Sequence, residues 1–231
     1  MKASPAARSW IAAGVRHELL MRAFPALRHD MATPVSVIRM ALLLLKSQAS
    51  VPTFDAATWK ERTELIEGQV AALGAGVRSL RNWELTVDEE GITRSALVTQ
   101  CAAMMRTPFE LGSIKLHVGP GLVPRADEPR FPSSAALRYM LLGALGYLHD
   151  SEPQPAAIHV ADEGADALRF TATRGTSEAG DPLAVAQRAP RSLAIDSIAL
   201  QALADGLGYA VEVERDAVRF ALSSQCSSPG I

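Results

Sequence analysis

Within the stretch Leu27-Arg28-His29-Asp30-Met31-Ala32-Thr33-Pro34-Val35 an imidazole, a carboxylate and a hydroxyl stand close together. On a helix, His29 falls two residues past one apolar position, Leu27, and two before the next, Met31, so it faces outward at an f position. A solvated imidazole presents a ring nitrogen to a partner and is largely neutral, hence nucleophilic, near neutral pH. Asp30 can accept a proton or orient the ring, and Thr33 lies one turn beyond His29 on a nearby face. Pro34 has no N–H, which leaves the Asp30 carbonyl without its helical donor and lets the helix bend there. A solitary exposed histidine is ordinarily only a surface residue, so the case for chemistry rests on these neighbours.

Two long apolar seams must hold that segment. Leu27, Met31, Pro34, Ile38, Ala41 and Leu45 recur at spacings of four and three, and Trp59, Ile66, Val70, Leu73, Val77 and Leu80 form a second seam. The spacing predicts a helical hairpin, residues 24–49 and 55–85, broken at Ser50-Val51-Pro52-Thr53-Phe54, with Asp55 as N-cap of the second helix. Two helices cannot bury two strongly apolar seams, so pairing with a second copy into a four-helix bundle is expected. A preceding helix, Ala6 to Ala23, carries Trp10, Ile11, Val15, Leu19 and Leu20 and is expected to extend the hairpin.

The charged, glycine-ended run Val87-Asp88-Glu89-Glu90-Gly91 marks a boundary. Beyond it, helices over 95–105, 133–148 and 195–207 interleave with strands over 114–118, 157–160, 167–173, 210–214 and 217–222. That order predicts an α+β sandwich. The domains are therefore read as 1–86, the hairpin with its N-terminal helix, 87–223, the α+β domain, and 224–231, a flexible tail.

Composition narrows the function classes. The chain of 231 residues is 48% hydrophobic and 21% charged, with a formal net charge of −2, so it folds around a core and displays no basic surface for nucleic acid or anionic lipid. The apolar run Val35 to Leu45 is interrupted by Arg39 and is shorter than the roughly 20 residues of a membrane span. With no secretory leader visible and two distant cysteines, Cys101 and Cys226, a cytoplasmic, reducing location is expected.

His29-Asp30-Met31-Ala32-Thr33-Pro34 resembles the H-box of bacterial sensor histidine kinases: histidine, acidic residue, two variable positions, threonine, proline. It stands on the first helix of a dimerising hairpin, as in that family. The order of elements over 87–223 is similar to the family's ATP-binding (Bergerat-like) domain, so the resemblance covers residues 24–223. It implies His29 as phosphoacceptor, Asp30 as acid/base partner and Thr33 as the residue that positions water in dephosphorylation. The nucleotide motifs depart from the pattern. Gly143 and Tyr147 stand where asparagines are expected, including the Mg²⁺ ligand, and the chain has a single asparagine, Asn82. Thr173 replaces the aspartate that reads adenine, and Ser177 to Ser192, in place of a glycine-rich phosphate lid, contains only Gly180. Triphosphate binding needs close backbone amides and a chelated divalent ion, and these replacements remove both.

A hairpin that keeps its histidine beside a degenerate ATP-binding domain resembles the dimeric histidine phosphotransferases of phosphorelays. The expectation is then His–Asp phosphoryl transfer between response-regulator receiver domains. No cofactor would belong to the chain itself, because the receiver supplies its own Mg²⁺, and Arg28 and Val35 would lie on the docking surface. Partners would be receiver domains, a hybrid histidine kinase and a second copy of the chain. Three alternatives stay open: a pseudokinase adaptor, a phosphatase of receivers that depends on Thr33, and a divergent ATP-dependent kinase. Elsewhere, His117 and His159 lie in strand patterns with no Cys or carboxylate spacing that suggests metal. His149 ends an apolar helix, where it meets the C-terminal dipole. His17 lacks the Thr and Pro that follow His29.

Overall fold

The computed structural model describes residues 4–49, 55–81, 83–85, 91–151, 153–174 and 193–224. Helix α1 runs unbroken from Pro5 to Ala49, with Pro25 and Pro34 inside it. Ser4 starts it by accepting the Ala7 amide at 3.2 Å. The two helices expected over 6–23 and 24–49 are thus one, since each proline removes a single hydrogen bond from a long ladder. Asp55 begins α2 (Ala56–Arg81) as expected, accepting the Ala57 amide at 3.1 Å.

The chain divides into two units, Phe24–Val87 and Met1–Ala23 with Asp88–Ile231. This corrects the expectation that residues 1–23 belong to the hairpin domain. The reason lies in the phase of the buried stripe. In the hairpin part of α1 the buried positions are Leu27, Pro34, Ala41 and Leu45, whereas in the first part they are Ala12, Val15, Leu19 and Ala23. Carrying the hairpin seam back by sevens from Leu27 lands on Leu20 and Ala13, one residue off, a rotation of about 100°. The first five turns of α1 therefore offer their apolar face to the other unit.

In the hairpin unit, Leu27, Ala41 and Leu45 are buried and Met31 and Ile38 half-buried, so the α1 seam is the internal one. The α2 seam divides. Ile66 and Leu73 are half-buried, while Val70 and Val77 are exposed at 55% and 53%. Val35, Met40, Leu42, Leu43 and Leu44 are also exposed. One hairpin leaves a second apolar face on each helix open.

The other unit is an α+β layer structure. A five-stranded sheet has the order β2-β4-β5-β7-β6, from β2 (Lys115–Val118), β4 (Ala157–Glu163), β5 (Ala167–Thr173), β6 (Val211–Val213) and β7 (Ala217–Ala221). β2 and β4 are parallel and the remaining pairs antiparallel. Two-residue strands β1 (Ile92–Thr93) and β3 (Arg130–Phe131) form a separate ribbon. Along the main strands Ile158 and Val160, Leu168 and Phe170, and Val218 and Phe220 point into the core, while His159, Arg169 and Arg219 alternate outward. Helices α3 (Arg94–Leu111), α4 (Ser134–Asp150) and α5 (Ser197–Leu207) complete the unit, with α4 touching α3, α5 and β5. α4 is buried almost throughout, as its apolar sequence demands. Asp196 caps α5 through the Ala199 amide at 2.8 Å. No helix among the described residues is long and apolar enough to cross a membrane. The segment expected in place of a lid, 177–192, and tail residues 225–231 lie outside the described residues.

Candidate phosphoacceptor site and the altered nucleotide face

His29 stands on the exposed face of α1, with Arg28, Asp30 and Thr33 exposed around it. Its ring has no hydrogen-bond partner among the described residues, so a nitrogen is open to an incoming group. The Thr33 hydroxyl donates to the His29 carbonyl at 3.0 Å. That back-bond fixes the side chain one turn from the imidazole and leaves its oxygen lone pairs free to accept from water. Pro34 is buried in the hairpin, directly behind this exposed strip. Across the hairpin α2 approaches closely at Gly76, where an added Cβ would lie 3.3 Å from Met31 Cγ. A bulkier residue at 76 would push on the turn that carries His29. Val35, expected at the docking surface, is 50% exposed. The hairpin thus brings Arg28, His29, Asp30, Thr33 and Val35 to one solvent-facing stretch of a single helix.

The positions where nucleotide ligands are expected sit in the other unit, in an apolar setting. A Cβ built on Gly143 would lie 2.7 Å from Leu203 Cδ2, 3.1 Å from Leu200 Cδ1 and 3.8 Å from Leu19 Cδ1. On Gly146 it would meet Ile195 Cδ1 at 2.8 Å and Leu19 Cδ2 at 3.6 Å, and on Gly206 the Ala12 Cβ at 2.9 Å. These glycines let α4, α5 and the first turns of α1 approach until leucine side chains fill the gap between them. Leu19, Leu200 and Leu203 are all essentially fully buried. Tyr147 donates its hydroxyl to the Glu214 carbonyl at 3.0 Å, and Thr173 donates to the Ala157 carbonyl at 3.3 Å. Burial, then the nearby charges of Asp216 and Asp196, push the Tyr147 phenol up. Gly143→Asn is expected to destabilise the protein by about 1–3 kcal/mol through overpacking, without conferring binding of a fluorescent ATP analogue. Urea unfolding and fluorescence titration check the two halves of that expectation.

One cluster has no counterpart in the sequence reading. Asp150, at the end of α4, takes Arg22 of α1 at 2.9 Å, His149 Nδ1 at 2.8 Å and the Ile195 amide at 2.9 Å. Arg22 also donates to Glu18 at 2.8 Å and to the Leu193 carbonyl at 2.8 Å. Burial alone raises the Asp150 carboxyl, but the bond from His149, the bond and charge of Arg22 and the Ile195 amide outweigh it. The net shift is downward. His149, expected only to meet a helix dipole, therefore braces a buried carboxylate and stacks on Phe109. Cys101 is buried and its thiol is pushed up to about 12 by burial, so it stays protonated and inert.

No protein-family profile matches the chain, and no curated protein matches it. Solved structures do. Among the solved structures it resembles are histidine kinases. The cytoplasmic segment of histidine kinase QseC shares 14% identity at a TM-score of 0.37, covering 67% of this chain and 92% of that one. A histidine kinase from Burkholderia phymatum STM815 shares 16% at 0.38, covering 86% and 98%. The Acinetobacter baumannii histidine kinase AdeS shares 12% at 0.37, covering 85% and 98%.

Proposed function

We propose that this protein is a histidine phosphotransferase that passes a phosphoryl group between receiver-domain aspartates through His29, without using ATP. A neutral His29 nitrogen attacks the phosphorus of an aspartyl phosphate. The P–N bond forms, the acyl P–O bond breaks, and the aspartate leaves as carboxylate. Asp30 takes up or returns the proton of the other ring nitrogen, or holds the ring for attack. The reverse sequence delivers the group to a second receiver. Receivers would bring the Mg²⁺ that neutralises the phosphoryl oxygens, so the chain needs no metal of its own for this step.

The ATP-independent form of this reading is supported by one observation above all, the leucine packing at Gly143. A triphosphate with its cation needs polar ligands on that helix face, and Leu19, Leu200 and Leu203 occupy it instead. The competing reading, a divergent ATP-dependent histidine kinase, draws on the same His29 segment and the same mixed sheet. A pseudokinase adaptor and a receiver phosphatase remain distinct outcomes. A receiver labelled with radioactive acetyl phosphate separates these. Under the proposal the label moves to this chain as an acid-labile, alkali-stable adduct. Retention of label on every receiver tried supports the adaptor, and release as inorganic phosphate supports the phosphatase.

The phosphotransferase reading includes a dimer and a cytoplasmic setting among receiver proteins. The exposed apolar residues Met40, Leu42, Leu43, Val70 and Val77 give a second copy a surface to cover. Light scattering is expected to report twice the chain mass of 24.6 kDa. The double variant Val70→Glu with Val77→Glu is expected to give a monomer, because two carboxylates would be desolvated at that face. A wild-type monomer at micromolar concentration would contradict this part of the proposal.

A further inference from the structure

The parallel register of β2 and β4 sets His117 directly beside His159. Both side chains are exposed on the outer face of the sheet, and their rings stack with centroids 4.7 Å apart and planes 16° apart. β4 is held on both sides, by β2 and β5, so the two Cα atoms are fixed by the hydrogen-bonded ladder rather than by a loop. Lys115 shares the outer face two residues before His117, and Thr171 is the register partner of His159 on β5.

We propose that His117 and His159 form a two-imidazole chelate for a borderline divalent transition-metal ion of the Cu²⁺, Ni²⁺ or Zn²⁺ class. Neutral imidazole is the side-chain ligand these ions favour. Metal–nitrogen bonds of about 2.0–2.1 Å at a tetrahedral angle put two ligating nitrogens about 3.3 Å apart. Rings 4.7 Å apart reach that spacing by turning their nitrogens toward a shared point, and exposed side chains have room to turn. Among the described residues no group of three or more His, Cys, Asp or Glu side chains converges. Water therefore completes the coordination, and the site is an open chelate rather than a closed structural zinc site. Mg²⁺ and Ca²⁺ require oxygen ligands and are excluded.

Calorimetric titration of the 231-residue protein with NiCl₂ tests the site independently of any phosphoryl transfer. One equivalent of Ni²⁺ is expected to bind, and MgCl₂ to give no heat above dilution. His117→Ala and His159→Ala should each weaken Ni²⁺ binding by more than the roughly 10- to 100-fold typical of losing an outer-sphere partner. His17→Ala, at an exposed helical histidine, should leave it unchanged. Far-UV circular dichroism should show all three variants folded. Ni²⁺ binding that survives either sheet substitution, or no binding by the wild type, overturns the proposal.

Discussion

His29→Ala should abolish acquisition of phosphoryl groups from a labelled receiver, a loss of at least about 1,000-fold against the wild type. His29 is the only histidine between residues 24 and 87, so no second imidazole in the hairpin takes over. Circular dichroism should be unchanged, because the removed ring is exposed and has no hydrogen-bond partner among the described residues. Thr33→Ala should behave differently. It removes the hydroxyl beside the imidazole while leaving the nucleophile, so transfer persists and the phosphorylated form loses its group to water more slowly. Quantifying label on the protein over time separates the two effects. Transfer that survives His29→Ala would remove His29 from the chemistry.

Asp150→Ala should be the most damaging single change to stability. The carboxylate side chain is 2% exposed and that of Arg22 15%. Breaking a buried pair from one side leaves the other charge unpaired and costs about 3–5 kcal/mol, a large part of the roughly 5–15 kcal/mol that holds a domain folded. The Ile195 amide and His149 would lose their acceptor as well. The double variant Arg22→Met with Asp150→Leu should be less destabilised than Asp150→Ala alone, because no buried charge is stranded. The pH dependence has a definite sign. The native Asp150 carboxyl is held below the ordinary carboxylate value. Its contribution is therefore fully present above that value and is lost as pH falls through the lower native one. Urea unfolding at neutral and acid pH should show a shallower acid loss in Asp150→Asn than in the wild type. A cost under about 1 kcal/mol for Asp150→Ala would mean that the cluster is not a structural clamp.

The hairpin was legible because heptad spacing reports burial directly, and Leu27, Ala41 and Leu45 are buried where the seam places them. Val70 and Val77 carry the same spacing yet are exposed, since a seam records that a face is apolar without naming what covers it. The N-terminal turns belong with residues 88–231 rather than with the hairpin they precede, because Ala12, Val15, Leu19 and Ala23 differ from the hairpin seam by one residue of phase, which is visible only when burial is known. α3 continues past Met105 to Leu111 although Pro108 lies in its path, the proline falling in the last turn, where the helix is already ending. β1 and β3, with two residues each, are too short for any alternation to show. The grouping around His29 was legible because Arg28, His29, Asp30 and Thr33 lie within one local stretch. The groupings at Asp150 and at His117 and His159 were not, because their partners come from distant elements. Sequence spacing carries no trace of a parallel strand register or of a salt bridge from α1 to the end of α4.

In the proposed cycle His29 is charged by receivers and not by ATP. The most direct measurement is incubation of the purified protein with radiolabelled ATP and Mg²⁺, alone and beside a labelled phosphoreceiver, with His29→Ala in parallel. No label is expected from ATP alone, and label from the receiver is expected only where His29 is present. Label acquired from ATP alone and lost in His29→Ala would contradict that cycle, and would make the protein a working kinase despite the leucines packed at Gly143.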